Sequence, residues 1–199
     1  MGRSLAREHP VEADIVVGVP DSAIPPAIGY ANESKIPYTE GLIRNRYVGR
    51  TFISPNQKLR ELGVKTKFNV LNEVVRGQRI ILIDDSIVRG TTTSRVIEMI
   101  KDAGAKEIHM RVSSPPITSP CFFGVDMATT SELIANKFSV EKIRKVLGAD
   151  SLGFLSVNNL KESVNASENN YCKACFTGDY PIPVQLDFDK FHLEKIRQK

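Results

Sequence analysis

Apolar positions along the 199 residues fall into two rhythms: short unbroken runs, and longer stretches that repeat with a helical period. The unbroken runs DIVVGVP (Asp14 to Pro20), RIILID (Arg79 to Asp84) and EIHMRVS (Glu107 to Ser113) predict buried strands, and ADSLGFLSV (Ala149 to Val157) predicts a further strand or buried loop. KIPY (Lys35 to Tyr38) is a shorter strand candidate. Helical periods predict a helix from Ser22 toward Ser34, with Pro25 and Pro26 in its first turn, where a missing amide hydrogen matters little. A second helix runs from Thr92 to Ala103, with Val96, Ile97, Ile100 and Ala103 on one face and Gly104 suited to its end. Helical stretches follow over Thr130 to Ala135, over Ser139 to Leu147 with Glu141 in the first turn, and in NNLKESV (Asn158 to Val164). Arg44 to Asn69 keeps no steady period and predicts a loop, largely mobile. Asn165 to Asn170 predicts an exposed loop, and the charged stretch from Gln185 a peripheral tail. Strands alternating with helices predict an α/β fold with a mainly parallel sheet flanked by helices.

Charge sharpens this outline. The net charge is +4, but seven basic residues (Arg44, Arg46, Arg50, Lys58, Arg60, Lys65 and Lys67) face a single acid, Glu61, within one window, leaving the rest of the chain net negative. A local cationic device suits a compact polyanion better than a duplex backbone, so no nucleic-acid partner is expected; a solvated basic loop is the plain alternative. No apolar run reaches membrane-spanning length, and the polar start MGRSLAREHPVEAD lacks a leader pattern. Ala6 stands where a myristoylation motif wants Ser or Thr. With an odd number of cysteines, three, a cytoplasmic protein away from membranes is expected.

The candidate chemistry sits at Asp84 and Asp85. Ligands of an open parallel sheet gather beyond the carboxyl ends of its strands, and this acid pair ends one. The turn from Ser86 to Thr92 leads into a helix N-terminus, where free amides and the helix dipole attract an anion. Gly90 permits close backbone approach, and Ser86, Thr91 and Thr92 add hydroxyl donors. Acids beside an anion cradle need partners of their own, and sugar hydroxyls and Mg²⁺ supply them. The pattern reads as a pocket for a phosphorylated sugar, against the alternative of a strand that ends in a capped polar turn. A Walker-type loop is excluded, since no GxxxxGK[ST] follows the first strand. Cys172-Lys173-Ala174-Cys175 is compatible with a redox pair, against which its place near the carboxyl end speaks, with a zinc site completed from Cys121, His109 or His192, with ligands of an iron–sulfur cluster, or with inert thiols.

IDDSIVRGTT resembles the signature of phosphoribosyltransferases that use phosphoribosyl pyrophosphate. With GVPDSAIPPAIGYA, GLIRNRYVGRTFISPNQKLRELGVKTKFN, VDMATTSELIA and YCKACFTGDYP, the chain from about Leu5 to Pro183 resembles the glutamine phosphoribosylpyrophosphate amidotransferase family. The resemblance implies the type I phosphoribosyltransferase fold over 1–165, with a flexible lid at about 44–69, and a cysteine-containing segment over 166–199. Asp84 and Asp85 would hold the ribose hydroxyls and associate with Mg²⁺. Ser86, Ile87, Val88, Arg89, Gly90, Thr91 and Thr92 would wrap the 5′-phosphate. Asp21 and Ser22 would lie in the pyrophosphate loop, Ser22 also reaching the metal, although Ser22 reads equally as a helix N-cap. Lys67 would contact pyrophosphate from the lid.

The activity implied is displacement of pyrophosphate by ammonia to give 5-phosphoribosylamine, the opening step of purine biosynthesis. Purine nucleotides are the implied inhibitors and a homo-oligomer, a tetramer, the implied assembly. A nucleobase phosphoribosyltransferase and a non-catalytic regulator that binds phosphoribosyl pyrophosphate are the alternatives. In the family a glutaminase domain with an amino-terminal cysteine supplies the ammonia. This chain begins Met1-Gly2 without one, so it is expected to be a fragment, or else to work with a glutaminase on a separate polypeptide, and not to use glutamine alone. SPCFFG and CKACFTG match three of four [4Fe–4S] ligands in one branch, giving Cys121, Cys172 and Cys175, with a structural rather than redox role and the fourth ligand missing from the chain.

Overall fold

The computed structural model describes residues 1–45, 67–125, 129–164 and 171–184. Strands β1 (Ile15–Gly18), β4 (Arg79–Asp84), β5 (Glu107–Val112) and β6 (Ser151–Phe154) form one sheet in that order, all parallel. Ile80, Ile81, Leu82 and Ile83 are all fully buried, because helices cover both faces of this central strand. That is why RIILID shows a continuous apolar run instead of alternation.

Helix α1 (Gly2–Glu8) packs closely on α2 (Ile24–Ser34). After β4 comes α4 (Thr91–Asp102), whose buried Val96, Ile97 and Ile100 are the face the periodicity predicted. Helix α6 (Val140–Leu147) starts at Ser139, whose hydroxyl accepts from the Lys142 amide at 3.4 Å. Helix α7 (Val157–Ser163) is capped in the same way by Ser156. A final turn, α8 (Ala174–Thr177), carries Cys175.

Several expectations change. KIPY makes no regular strand; Tyr38 forms a single parallel bridge with Val16, through Val16 N–H to Pro37 O at 2.9 Å and Thr39 N–H to Val16 O at 3.0 Å. The ends of the expected 44–69 loop belong to a small antiparallel pair, β2 (Leu42–Arg44) with β3 (Phe68–Val70), followed by the short α3 (Asn72–Val75). The rest of that loop, Asn165 to Asn170 and the tail from Gln185 lie outside the described residues. Thr130 to Ala135 divides at Leu133 into a 3-10 turn (Thr130–Glu132) and α5 (Ile134–Lys137). Among the described residues no helix is long and apolar enough to cross a membrane.

The end of α1 is pinned over β5 and β6. His9 at its end accepts through its carbonyl from the Tyr30 hydroxyl at 2.8 Å and from Arg111 Nε at 3.0 Å, while its ring meets the Phe154 carbonyl at 2.9 Å. Arg111 is buried, and burial lowers its pKa; its remaining hydrogen bonds go to the Met110 carbonyl and the Ser151 hydroxyl. The His9 ring rests on Gly153, where a Cβ would lie 2.5 Å from its Cγ. Gly153→Ala must therefore push the ring off the Phe154 carbonyl. A stability loss of about 1–3 kcal/mol is expected in urea unfolding, and an unchanged midpoint would show that α1 is not pinned there.

Candidate phosphoribosyl-binding site

The site forms where two neighbouring strands end. Val19 N–H continues the β1–β4 pairing to Ile83 O at 2.8 Å, so the turn Pro20-Asp21-Ser22 leaves the sheet beside Asp84. The Pro20–Asp21 peptide bond is cis. Asp21 and Ser22 are exposed. Ala23, not Ser22, occupies the N-cap of α2, and no side chain caps that helix, so the capping role considered for Ser22 is not realised. Arg44, from the end of β2, reaches Asp21 Oδ2 at 2.6 Å, and its Nε is buried with no hydrogen-bond partner among the described residues.

Asp84 is the buried centre of the group. Its Oδ1 accepts from the Asp85 amide at 2.9 Å and its Oδ2 from the Thr93 hydroxyl at 3.4 Å. Its carbonyl accepts from the Ser113 amide and hydroxyl at 2.9 and 3.3 Å. Burial first, and the Asp85 charge second, push the Asp84 pKa up to about 7, against the pull of the hydrogen bonds from the Asp85 amide and the Thr93 hydroxyl and of the Lys67 charge. Asp85 is exposed and accepts from the Ser86 hydroxyl at 3.2 Å. Lys67, half-buried just ahead of β3, has its pKa lowered by burial and then by Arg44, opposed by Asp84, Asp21 and Asp85. These five charged groups thus share one electrostatic neighbourhood.

The following loop offers mostly backbone. Ile87 is buried in the core, and Val88 and Arg89 are half-buried. The Arg89 guanidinium pairs with both carboxylate oxygens of Glu132, at 3.2 and 3.1 Å, and the Val88 carbonyl accepts from the Ile134 amide at 2.9 Å. Gly90 stands at the N-cap of α4 with φ +80°, and an added Cβ would meet Ile134 Cδ1 at 2.8 Å. Both facts demand glycine. Among the described residues no side chain caps α4, which leaves its first-turn amides at Thr91 and Thr92 free to serve as anion donors. An uncapped helix start beside an acid pair can hold a phosphate and sugar hydroxyls together, and the oxygen donors of Asp84, Asp85 and Ser22 suit a hard cation such as Mg²⁺.

The cysteines gather elsewhere. The Thr118 and Ser119 amides donate to the Cys175 carbonyl at 2.9 and 3.1 Å, and the Tyr180 hydroxyl donates to the Pro120 carbonyl at 2.8 Å, drawing the loop that carries Cys121 onto α8. All three thiols are free. Burial raises the Cys175 pKa, with Cys121 and then Cys172 adding to it, so the three lie within electrostatic reach of one another. Soft thiols so gathered suit an iron–sulfur cluster in kind, but among the described residues no group of three or more His, Cys, Asp or Glu is arranged to hold a metal ion. His109 does not join them; Ser151 and Glu107 engage its ring at 3.0 Å each. His192 lies outside the described residues.

Three contributors escaped sequence reasoning. Thr93, buried as the third residue of α4, belongs to the same hydroxyl run, and that run was the available signal. Arg44 was seen as part of the basic window, without a partner. Glu132 lies 43 residues beyond Arg89, and no local signal links the two.

The buried acid makes stability depend on pH. The unfolded carboxyl ionises near 3.8 and the folded one near 7, so between those values the folded state binds the extra proton and loses its advantage as pH rises. Asp84→Asn, measured without divalent cation, is expected to match the parent at acid pH. It should become the more stable form as pH rises through that window, by on the order of 2–4 kcal/mol above it. Parallel urea-unfolding profiles for the two proteins would contradict the burial assigned to Asp84.

Residues 3–114 match the phosphoribosyl transferase domain family. The chain is 59% identical over 186 residues to amidophosphoribosyltransferase of Archaeoglobus fulgidus, covering 92% of this chain and 41% of that protein. It is 54% identical over 191 residues to the Methanothermobacter thermautotrophicus protein of the same name, covering 96% and 40%. It thus spans about two fifths of the length of these curated relatives. The solved structure of glutamine phosphoribosylpyrophosphate amidotransferase from B. subtilis, complexed with ADP and GMP, superposes with a TM-score of 0.83 at 53% identity, covering 94% of this chain and 42% of that one. The resemblance read from IDDSIVRGTT and its companion segments and the type I fold it implied are both borne out. With the family match extending over more than half of its residues, the chain belongs to the phosphoribosyl transferase domain family.

Proposed function

We propose that this chain is the phosphoribosyl-transferring part of an amidophosphoribosyltransferase: ammonia replaces pyrophosphate at C1 of phosphoribosyl pyrophosphate, giving 5-phosphoribosylamine for purine synthesis. The observation that carries the reading is the Asp84–Asp85 pair set against the uncapped start of α4, with Lys67 and Asp21 alongside. In this reading the amides and hydroxyls of Ser86 to Thr92 hold the 5′-phosphate, Ile87, Val88 and Arg89 contributing main chain. Asp84 and Asp85 accept the ribose hydroxyls. Asp84, Asp85 and Ser22 would hold Mg²⁺, which would supply positive charge to the leaving group. Lys67 and the amides of the 20–22 turn meet the diphosphate, and a lid over 44–69, outside the described residues between its ends, excludes water. Ammonia is already a nucleophile, so orientation and leaving-group stabilisation suffice, and no general base is required.

Identity to the named amidotransferases and the packing of the cysteine segment on the domain favour this reading over a nucleobase transferase or a non-catalytic regulator. The same reading includes ammonia drawn from glutamine by a glutaminase domain, inhibition by purine nucleotides, a homo-oligomer in the cytoplasm, a domain over 1–165 with the segment 166–199 appended, and Cys121, Cys172 and Cys175 as three ligands of a [4Fe–4S] cluster. The transfer moves no electrons, so the cluster is structural.

Pyrophosphate release from phosphoribosyl pyrophosphate and Mg²⁺ is the assay, with ammonia compared against hypoxanthine, adenine and orotate. Turnover is expected with ammonia, with Lys67→Ala and Asp85→Asn each lowering it on the order of a hundredfold. Turnover with a nucleobase instead, or binding without turnover, would overturn the proposal. For the cysteines, the longer polypeptide containing this chain, purified without oxygen, is expected to hold roughly four iron and four sulfide per chain. Absence of iron there would remove the assignment.

A further inference from the structure

We infer that Glu132 is a positioning residue for the Ser86–Thr92 loop, an inference that rests on the reading of that loop as the phosphate cradle. Three consecutive loop residues are held by three consecutive residues of the turn between the 3-10 segment and α5. Glu132 takes the Arg89 guanidinium on both oxygens at 3.2 and 3.1 Å. Leu133, fully buried, packs in one apolar cluster with Val88, Ile117, Cys175 and Phe176. Ile134 donates its amide to the Val88 carbonyl at 2.9 Å and sets its Cδ1 against Gly90.

The ion pair governs charge as well as shape. Arg89 precedes the N-cap of α4 by one residue, and that helix end is already positive. A free guanidinium there would compete for the anion that the amides of Thr91 and Thr92 are aligned to bind. Held by Glu132, the guanidinium is neutralised, and its bidentate geometry fixes the direction of the main chain entering Gly90. Both side chains keep about a third of their surface, 31% for Arg89 and 38% for Glu132, so the pair alone adds little to global stability. Its effect falls on the loop.

The test is a double-mutant cycle on the full chain, reading affinity for phosphoribosyl pyrophosphate with Mg²⁺ by calorimetry. Glu132→Ala and Arg89→Ala are each expected to weaken binding by roughly three- to tenfold, and the double variant by no more than either. Glu132→Asp should recover part of the loss. In the intact enzyme KM for the sugar should rise while kcat with saturating ammonia stays within about twofold of the parent. Amide exchange at 86–92 should accelerate in Glu132→Ala and not in Glu141→Ala, which breaks a comparable surface pair with Arg144. Additive losses, a much larger loss for Arg89→Ala, or tighter binding by Glu132→Ala would each mean that Arg89 serves the phosphate directly, and would overturn the inference. If the parent binds and Glu132→Ala changes neither affinity nor exchange, the inference alone falls. If the parent binds no phosphoribosyl pyrophosphate, the cradle reading falls and takes the inference with it.

Discussion

A carboxyl group sealed at the end of a buried parallel strand is the constraint around which this domain is built. Asp84 cannot withdraw, because its carbonyl is held by the Ser113 amide and hydroxyl and its strand is flanked by β1 and β5. Nor is it comfortable as an anion beside Asp85 in that setting. It is poised to gain from any ligand that brings a cation or a donating hydroxyl, and its neighbours meet the remaining needs of such a ligand. Thr93 steadies one oxygen, Lys67 supplies opposing charge, and the helix that follows provides amides for an anion. A buried carboxyl with a raised pKa at a strand end marks this as the candidate functional site.

The surrounding structure fixes that group in space. On one side α1, through the His9 carbonyl and ring, ties the edge strand β6 and the buried Arg111 to α2. On the other, the loop after β5 and the cysteine-bearing turn α8 close on each other, and through Leu133 and Val88 they reach the Ser86–Thr92 loop. Cys175 therefore packs in the same apolar cluster as Val88 of the Ser86–Thr92 loop.

How much of this was legible in the sequence follows from the range of each interaction. RIILID and the Val96, Ile97, Ile100 face of α4 were readable, because burial on both faces of a strand and on one face of a helix leaves local periods. The acid pair and its glycine-containing turn were readable because the whole device is contiguous. Strands β2 and β3 were not: each has three residues with mixed burial, and among the described residues they pair with each other alone, across a long basic stretch of sequence. KIPY failed differently, since its strand-like composition yields one bridge at the sheet edge. The Arg89–Glu132 pair, the Arg44–Asp21 contact and the carbonyl ties at Cys175 join segments far apart in the chain, and no composition or spacing encodes them. For the cysteines, residue type was plain, but spacing alone left zinc, cluster and redox readings open.

In the proposed function the acid pair and the start of α4 together receive a sugar phosphate. The most direct measurement is amide chemical-shift mapping by NMR on the labelled chain, titrated with ribose 5-phosphate and Mg²⁺. The account predicts that the saturable shifts concentrate between Asp84 and Thr93, strongest at Thr91 and Thr92. Shifts confined to the hollow lined by Ile28, Lys35 and Tyr38, or no saturable shifts at all, would contradict it.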